Sequence, residues 1–355
     1  MSDTAVTTTA GTAAGTTGAV TGQQAGAGSD KTTSVTMAKA LNMGLRAAME
    51  ADPKVLVMGE DVGKLGGVFR ITDGLQKDFG EHRVLDTPLA ESGIIGTGVG
   101  LALRGYRPVC EIQFDGFVFP GFDQIISQVA KVTYRSQGVW SMPMVIRIPF
   151  GGGIGAVEHH AESPESLFCH IAGLRVMACS TAGDAYWMIQ EAIACPDPVV
   201  FFEPKRRYWE KGALDTSARP ETVVSSVVRR PGTDCTVVSY GPSMPVLARA
   251  ADAAAGEGRS LEIIDLRSLS PLDLEPVLES VRKTGHLVVV SEAPRESSIT
   301  SEIAARVTEE AFYSLAAPVL RVAGFDTPYP PSRIEEEYLP DLDKVLDAVD
   351  RSLAY

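Results

Sequence analysis

Two stretches of this sequence combine ionisable side chains with glycines, and they are the first candidates for chemistry. In the first, Glu91 follows Asp86-Thr-Pro and precedes glycines at 93, 96, 98 and 100, where a predicted strand gives way to a predicted helix. A carboxyl group held rigidly at such a junction can exchange a proton with a ligand. A structural explanation is also available, because the helix dipole stabilises a glutamate in the first helical turn. Spacing alone leaves both interpretations open.

The glycines after Glu91 do not form a dinucleotide-binding motif. That motif is G-x-G-x-x-G placed directly after a strand, whereas here the spacing differs and a loop containing Pro88 intervenes. The pattern therefore argues against a nicotinamide cofactor. Small residues at this spacing also let a helix approach its neighbours closely.

The second stretch is a glycine-rich loop, Gly151 to Gly155, followed by His159 and His160. Loops that follow strands carry the ligands of many α/β proteins, and an imidazole titrates near neutral pH. Adjacent histidines without a partner at ligand spacing argue against zinc, and two solvated surface imidazoles are the alternative. The other histidines have no comparable setting: His82, His170 and His286.

Alternating strands and helices are predicted to position these residues. Short apolar runs, typical of strands buried on both faces, lie at 55–58, 109–112, 144–148, 176–179 and 199–202, and again at 236–239, 261–264, 287–290 and 319–322. Helical patterns lie between them, beginning at Met37 and ending with the pattern from Leu342 to Val349. This alternation predicts parallel sheets wrapped by helices in two α/β domains.

Composition sets the domain limits and excludes several classes of protein. Residues 1–33 are mostly Thr, Ala, Gly, Ser and Gln and are predicted to be a disordered tail, while breakers and charges predict a linker at 211–231. A net charge of −13 argues against nucleic-acid binding. The five cysteines lack a C-x-x-C pair, and no signal peptide or membrane span is apparent, so we expect a cytoplasmic protein with reduced thiols.

Separated motifs give the sequence a specific resemblance. They are Gly59-Glu-Asp-Val62, the stretch 86–100, Glu111-Ile-Gln-Phe114 with Phe117, His160 with Ser163-Pro-Glu165, Phe202-Glu-Pro204, Ile264-Asp-Leu-Arg267, Glu292-Ala-Pro294 and Gly324-Phe-Asp-Thr-Pro328. In this order the chain resembles the beta subunit of the decarboxylating component of 2-oxo acid dehydrogenase complexes, closest to the branched-chain type. The resemblance implies an oxidoreductase with a transketolase-like pyrimidine-binding domain at 34–210 and a transketolase-type C-terminal domain at 232–355.

The resemblance assigns roles to individual residues. It implies that Glu91 bonds the aminopyrimidine ring of thiamine diphosphate, that Leu89 and Gln113 line the pyrimidine pocket, and that Phe117 stacks on the ring. It implies that His160 lies near the thiazolium and serves acyl transfer to a lipoyl group. It also implies a structural potassium ion held by backbone carbonyls at Met144, Ala192, Cys195 and Asp197.

A missing motif implies a partner. Thiamine-diphosphate enzymes commonly hold magnesium and diphosphate with Gly-Asp-Gly and a later Asn-Asn, and this chain contains neither. The resemblance therefore implies an alpha subunit that holds the magnesium in an alpha-two beta-two heterotetramer, together with a lipoyl acyltransferase component. By the same resemblance, Gln113 within Glu111-Ile-Gln-Phe favours the branched-chain type and hence branched-chain 2-oxo acids as substrates. A pyruvate or acetoin dehydrogenase beta subunit and a noncatalytic binding partner of the same fold are the alternatives, whereas the length and the missing motif exclude a complete transketolase-like enzyme.

Overall fold

The computed structural model describes residues 32–355, so most of the predicted tail, residues 1–31, lies outside the described residues. The strands of the first half are β1 Thr33–Thr36, β2 Val55–Gly59, β3 Val84–Asp86, β4 Arg107–Glu111, β5 Val145–Phe150, β6 Arg175–Ala178, β7 Val199–Pro204 and β8 Lys211–Leu214. Those of the second half are β9 Val227–Arg230, β10 Cys235–Ser239, β11 Leu261–Asp265, β12 Ser268–Ser270, β13 Leu287–Pro294 and β14 Leu320–Gly324.

Helices connect most of the strands. In the first half they are α1 Met37–Ala51, α2 Leu75–Phe79, α3 Glu91–Leu103, α4 Phe119–Gln124, α5 Val132–Arg135, α6 Glu165–Cys169 and α7 Ala182–Ala194, with a π-helical segment Ile125–Val129 after α4. In the second half they are α8 Met244–Gly256, α9 Glu275–Thr284, α10 Ile299–Ala311, α11 Glu335–Tyr338 and α12 Leu342–Leu353. None of these helices is long and apolar enough to cross a membrane.

Two largely parallel sheets form the centre of the fold. The first has the order β12-β6-β7-β5-β4-β2-β3, and the second has the order β14-β13-β10-β11-β9. Helices α1 and α7 pack together over one face of the first sheet, while α8 and α12 cover one face of the second. The predicted two-domain α/β architecture is confirmed, and every strand predicted from a buried apolar run is present.

Short strands at the edges were not expected from the sequence. Inside the segment predicted as a linker, β8 pairs antiparallel with β1, and β9 pairs antiparallel with β11. Strand β12 lies in the second half of the chain but pairs antiparallel with β6 of the first sheet. These strands have three or four residues each and lack the long apolar run that marks the central strands. Of these strands, β12 joins the two halves of the chain by backbone hydrogen bonds, whereas β1–β8 pair within the first half and β9–β11 within the second.

Candidate active site

The parallel order β4-β2-β3 brings the two predicted site segments that follow β3 and β4 to one edge of the first sheet. The carboxyl ends of neighbouring parallel strands meet at the same edge, which is where open α/β sheets bind ligands. Glu91 is the first residue of α3, directly after the loop that follows β3, and only 7 % of its surface is exposed. The turn after β4 carries Gln113 and Phe117, both half-buried. Glu91 is therefore a buried carboxyl group at the ligand-binding edge.

A second acid, Glu60, lies beside Glu91. Burial raises the pKa of Glu60, and the negative charges of Glu91, Asp61 and Glu111 raise it further. Like charges at close range disfavour a second ionised group, so the Glu60 carboxyl gains or keeps a proton more readily than an isolated glutamate. Glu60 belongs to the motif Gly59-Glu-Asp-Val62, and the sequence predicted no role for it in the site. Its position directly after β2, next to the strand that leads to Glu91, was the available signal.

Leu89, predicted to line the pyrimidine pocket, projects from the loop before α3 and is 72 % exposed. An apolar side chain this exposed beside a buried carboxyl group leaves one wall of the pocket open to solvent. Phe119, at the start of α4, is also exposed. The described residues thus build one side of a pocket.

His160 lies in an aromatic group next to this edge. Its ring stacks on Phe114 with centroids 4.1 Å apart and planes 5° apart, and Phe117 meets it edge-on at 4.9 Å. The Nδ1 of His160 is 2.8 Å from the carbonyl oxygen of His159. Because a carbonyl only accepts hydrogen bonds, Nδ1 carries the hydrogen and Nε2 of the neutral ring is the proton acceptor. The structure therefore brings Phe117 and His160 together, although their sequence motifs are separate.

A buried ion-pair network links the end of β4 to the neighbouring strands β5 and β7. Arg147 of β5 donates from Nη1 to Glu111 Oε2 at 2.5 Å and from Nε to Glu203 Oε1 at 2.6 Å. Tyr208 donates to the same Glu203 carboxylate at 2.6 Å. Burial raises the pKa of Glu111, and the Arg147 charge opposes that rise. These bonds fix three neighbouring strands, β4, β5 and β7, at the level where Gln113 and Phe117 emerge.

The predicted potassium ligands lie near the end of α7 and the start of β5. The Met144 carbonyl accepts a hydrogen bond from Val199 N at 3.0 Å, and the Cys195 carbonyl accepts one from Arg107 Nη1 at 3.2 Å. The side chain of Asp197 pairs with an arginine, and Ala192 lies inside α7. A potassium ion on the Cys195 carbonyl would lie next to the Arg107 charge. The potassium site stays a prediction.

Groups of three or more His, Cys, Asp or Glu side chains that could hold a metal ion are absent from residues 32–355. The buried Glu91, the half-buried Gln113 and the aromatic group match the pyrimidine end of thiamine diphosphate in polarity.

Two family models match the chain. "Transketolase, pyrimidine binding domain" matches residues 33–210 and "Transketolase, C-terminal domain" matches residues 225–345. Among solved structures, one described as "Split gene transketolase, inactive beta4 tetramer" covers 90 % of this chain and 98 % of its own, with a TM-score of 0.75 at 22 % identity. That likeness agrees with the fold.

Relatives with higher sequence identity are named as beta subunits of 2-oxo acid dehydrogenases. The chain is 64 % identical over 325 residues to the pyruvate dehydrogenase E1 component subunit beta of Leifsonia xyli, covering 92 % of this chain and 96 % of the relative. It is 55 % identical over 327 residues to the 3-methyl-2-oxobutanoate dehydrogenase subunit beta of Mycobacterium tuberculosis, covering 92 % and 94 %. It is 42 % identical over 319 residues to the 2-oxoisovalerate dehydrogenase subunit beta of Bacillus subtilis, covering 89 % and 97 %.

Proposed function

Because the chain belongs to the family of beta subunits of the thiamine-diphosphate-dependent decarboxylating component of 2-oxo acid dehydrogenases, we propose that it supplies the proton-transfer half of that active site. The observation that carries this proposal is the buried Glu91 at the ligand-binding edge of the first sheet, beside Glu60. A carboxyl group in this position can bond a ring nitrogen of the cofactor pyrimidine and hold a proton there.

Thiamine diphosphate, when bound, supplies the nucleophilic carbon and the electron sink for decarboxylation of a 2-oxo acid. The chain contributes the surroundings of that chemistry. Glu91 orients the pyrimidine and controls its protonation, while Gln113 and Phe117 line the pocket and exclude water from it. Nε2 of His160 is available to move a proton during acyl delivery to a lipoyl group, because Nδ1 is engaged by the His159 carbonyl.

The open pocket wall at Leu89 and Phe119 supports the proposal of an alpha subunit as the obligatory partner. The missing Gly-Asp-Gly and Asn-Asn motifs support it as well, since magnesium needs oxygen ligands. We propose an alpha-two beta-two assembly in which the alpha subunit closes the pocket and holds the magnesium. The lipoyl acyltransferase component is the second proposed partner, and the predicted cytoplasmic location belongs to the same proposal.

Two substrate classes are supported by different observations. Gln113 and the relative named 3-methyl-2-oxobutanoate dehydrogenase subunit beta support branched-chain 2-oxo acids, which we propose as substrates. The relative at 64 % identity, named pyruvate dehydrogenase, supports pyruvate as the second candidate. The proposed role of Glu91 is the same for both.

Substitution of Glu91 by glutamine tests the proposed chemistry. Glu91→Gln keeps the size of the side chain but removes the acidic proton, so we expect thiamine-dependent 2-oxo acid oxidation by the two-subunit complex to fall about 100-fold or more. The control is Glu50→Gln, which makes the same change on the exposed end of α1. Assembly is followed by gel filtration. An assembled Glu91→Gln complex with wild-type activity would contradict the proposal.

A further inference from the structure

We propose that Glu335 is a positioning residue that holds the glycine-rich loop and thereby sets the orientation of His160. The inference rests on the proposed function, because it assumes that His160 serves acyl transfer. Glu335 belongs to the short helix α11 in the second half of the chain and lies 175 positions after His160. It is not one of the residues that the sequence motifs assign to the active site.

The loop that carries His160 is closed at its base and contains several glycines with left-handed backbone angles. Gly151 N donates to the Glu162 carbonyl at 2.9 Å, which closes a loop over residues 151–162. Gly151, Gly153 and Gly155 have φ angles of 84°, 84° and 69°, in the left-handed region that glycine adopts without steric cost. A chain of glycines loses much conformational entropy when it is ordered, so this loop needs bonds from outside to keep one conformation.

Those bonds come from one carboxylate and one phenol of the second half. Glu335 Oε1 accepts from Gly155 N at 2.9 Å, and Oε2 accepts from Gly153 N at 3.1 Å. Tyr329 donates to the same carboxylate at 2.8 Å, and its oxygen accepts from Gly153 N at 3.2 Å. The N–H groups of Gly153 and Gly155, on either side of residue 154, converge on this carboxylate as the N–H groups of an anion-binding nest do. Here the nest binds the chain's own carboxylate through charge-assisted bonds.

A neighbouring glutamate extends this contact. Gly152 N donates to Glu292 Oε2 at 3.2 Å, and Glu292 in turn pairs with Arg206. There is no room for a side chain at position 152, because a Cβ atom would lie 1.9 Å from the Tyr329 oxygen. The loop therefore lies directly against the second half of the chain.

The end of the loop that carries His160 and Glu162 is held by the turn after β4, the same turn that carries Gln113 and Phe117. Asp115, buried and paired with Lys205, accepts a hydrogen bond from Glu162 N at 2.8 Å. A Cβ atom on Gly116 would lie 2.2 Å from the His159 carbonyl, the same carbonyl that accepts from His160 Nδ1. The His160 ring is thus held at the end of a loop whose other end is bound by Glu335. Loss of the Glu335 bonds frees the glycine segment and lets His160 Nε2 leave its position.

The test compares two partial reactions of the complete complex with the alpha subunit. Oxidation of the 2-oxo acid by an artificial electron acceptor needs decarboxylation and transfer of two electrons to the added acceptor but no lipoyl group, whereas acylation of a purified lipoyl domain needs His160 in place. We expect Glu335→Gln to lower kcat for lipoyl-domain acylation about 10-fold, since small displacements of reacting groups have large effects on rate. The artificial-acceptor rate should stay within about two-fold of wild type, because Glu91 is not displaced. The control is Glu336→Gln, the same change at the exposed neighbour.

Amide hydrogen exchange provides a readout that does not depend on activity. The amides of residues 152–155 should exchange faster in Glu335→Gln. Tyr329→Phe should produce a smaller change in the same direction, because it removes the bond from Gly153 N to the Tyr329 oxygen and the bond from Tyr329 to Glu335 but leaves the Glu335 bonds to the loop. Unchanged exchange, unchanged acylation, or an equal fall of both partial reactions would each overturn the positioning role. His160→Ala separates the two hypotheses. If that variant acylates the lipoyl domain normally, the proposed role of His160 fails, whereas a defect in His160→Ala without one in Glu335→Gln overturns the inference alone.

Discussion

At the scale of single residues, Glu165 is a buried carboxyl group outside the proposed chemistry. It begins α6, is fully buried, and accepts a hydrogen bond from the Tyr240 hydroxyl across the junction of the two halves. Its second oxygen has no hydrogen-bond partner among the described residues. Burial raises the pKa of Glu165 to about 7, and the Tyr240 hydrogen bond opposes the rise. At neutral pH the group therefore titrates.

This titration predicts a pH dependence of stability. Between its ordinary pKa of 4.5 and about 7, folded Glu165 keeps a proton that the unfolded chain releases. The free energy of unfolding therefore falls as pH rises through this range, by about 3 kcal/mol from this residue. Glu165→Gln, which stays neutral, should gain stability relative to wild type between pH 5 and pH 8. Melting temperatures of wild type and Glu165→Gln at pH 5 and pH 8 test this prediction. The control is Glu337→Gln, the same change at an exposed position. An equal change of melting temperature with pH in wild type and Glu165→Gln would refute it.

Candidate site residues that are marked by local features of the sequence could be predicted from it. Glu91 and His160 stand out because each follows a strand and has glycines nearby, and the structure places both at the same edge of the fold. Glu335 could not be found in this way. Its carboxylate meets Gly153 across 182 positions of sequence, and an acid in a run of three glutamates is typical of an exposed turn.

At the scale of elements, the packing of α1 on α7 depends on Gly44. A Cβ atom at this position would lie 2.5 Å from Ile189 Cγ2 and 2.7 Å from the Tyr186 carbonyl oxygen. Both contacts belong to α7, so the two helices approach more closely here than a side chain permits. This close approach explains a glycine in the interior of α1, where it lowers helix stability by about 1 kcal/mol relative to alanine.

Alanine at Gly44 should therefore destabilise the fold in spite of its higher helix propensity. We expect Gly44→Ala to lower the free energy of unfolding by about 1–3 kcal/mol, the usual effect of overpacking. The matched variant is Gly100→Ala in α3, where an added Cβ has no atom of residues 32–355 within 4 Å apart from its own chain neighbours and helix backbone. That change should raise stability by about 0.5–1 kcal/mol. Denaturant unfolding of both variants measures these changes. Equal effects of the two substitutions on the free energy of unfolding would refute the explanation.

The central strands could be predicted because they are buried on both faces and consist of continuous apolar residues. Strands β1, β8, β9 and β12 were missed for a physical reason. Each is only three or four residues long, and it forms through pairing with a strand that is distant in sequence, so local composition carries little signal.

At the scale of the whole molecule, the two halves share a continuous interface. Strand β12 extends the first sheet, and Arg229 of β9 forms ion pairs with Asp184 of α7 and Asp265 of β11. The glycine-loop contacts of Glu335 lie on the same junction. The alternating pattern of the sequence predicted two α/β domains, but pairing between them depends on side chains that meet only after folding. These contacts across the junction let the second half influence a loop of the first.

The most direct test of the proposed function is substrate oxidation by the complex isolated through a tag on this chain. Thiamine-diphosphate-dependent oxidation of pyruvate and of branched-chain 2-oxo acids is measured with an artificial electron acceptor, for the complex and for the chain alone. We predict that the complex oxidises branched-chain acids in preference to pyruvate and that the chain alone is inactive, since its pocket lacks a wall. Preference for pyruvate would contradict the proposed substrate class, and an intact two-subunit complex without activity would contradict the catalytic role itself.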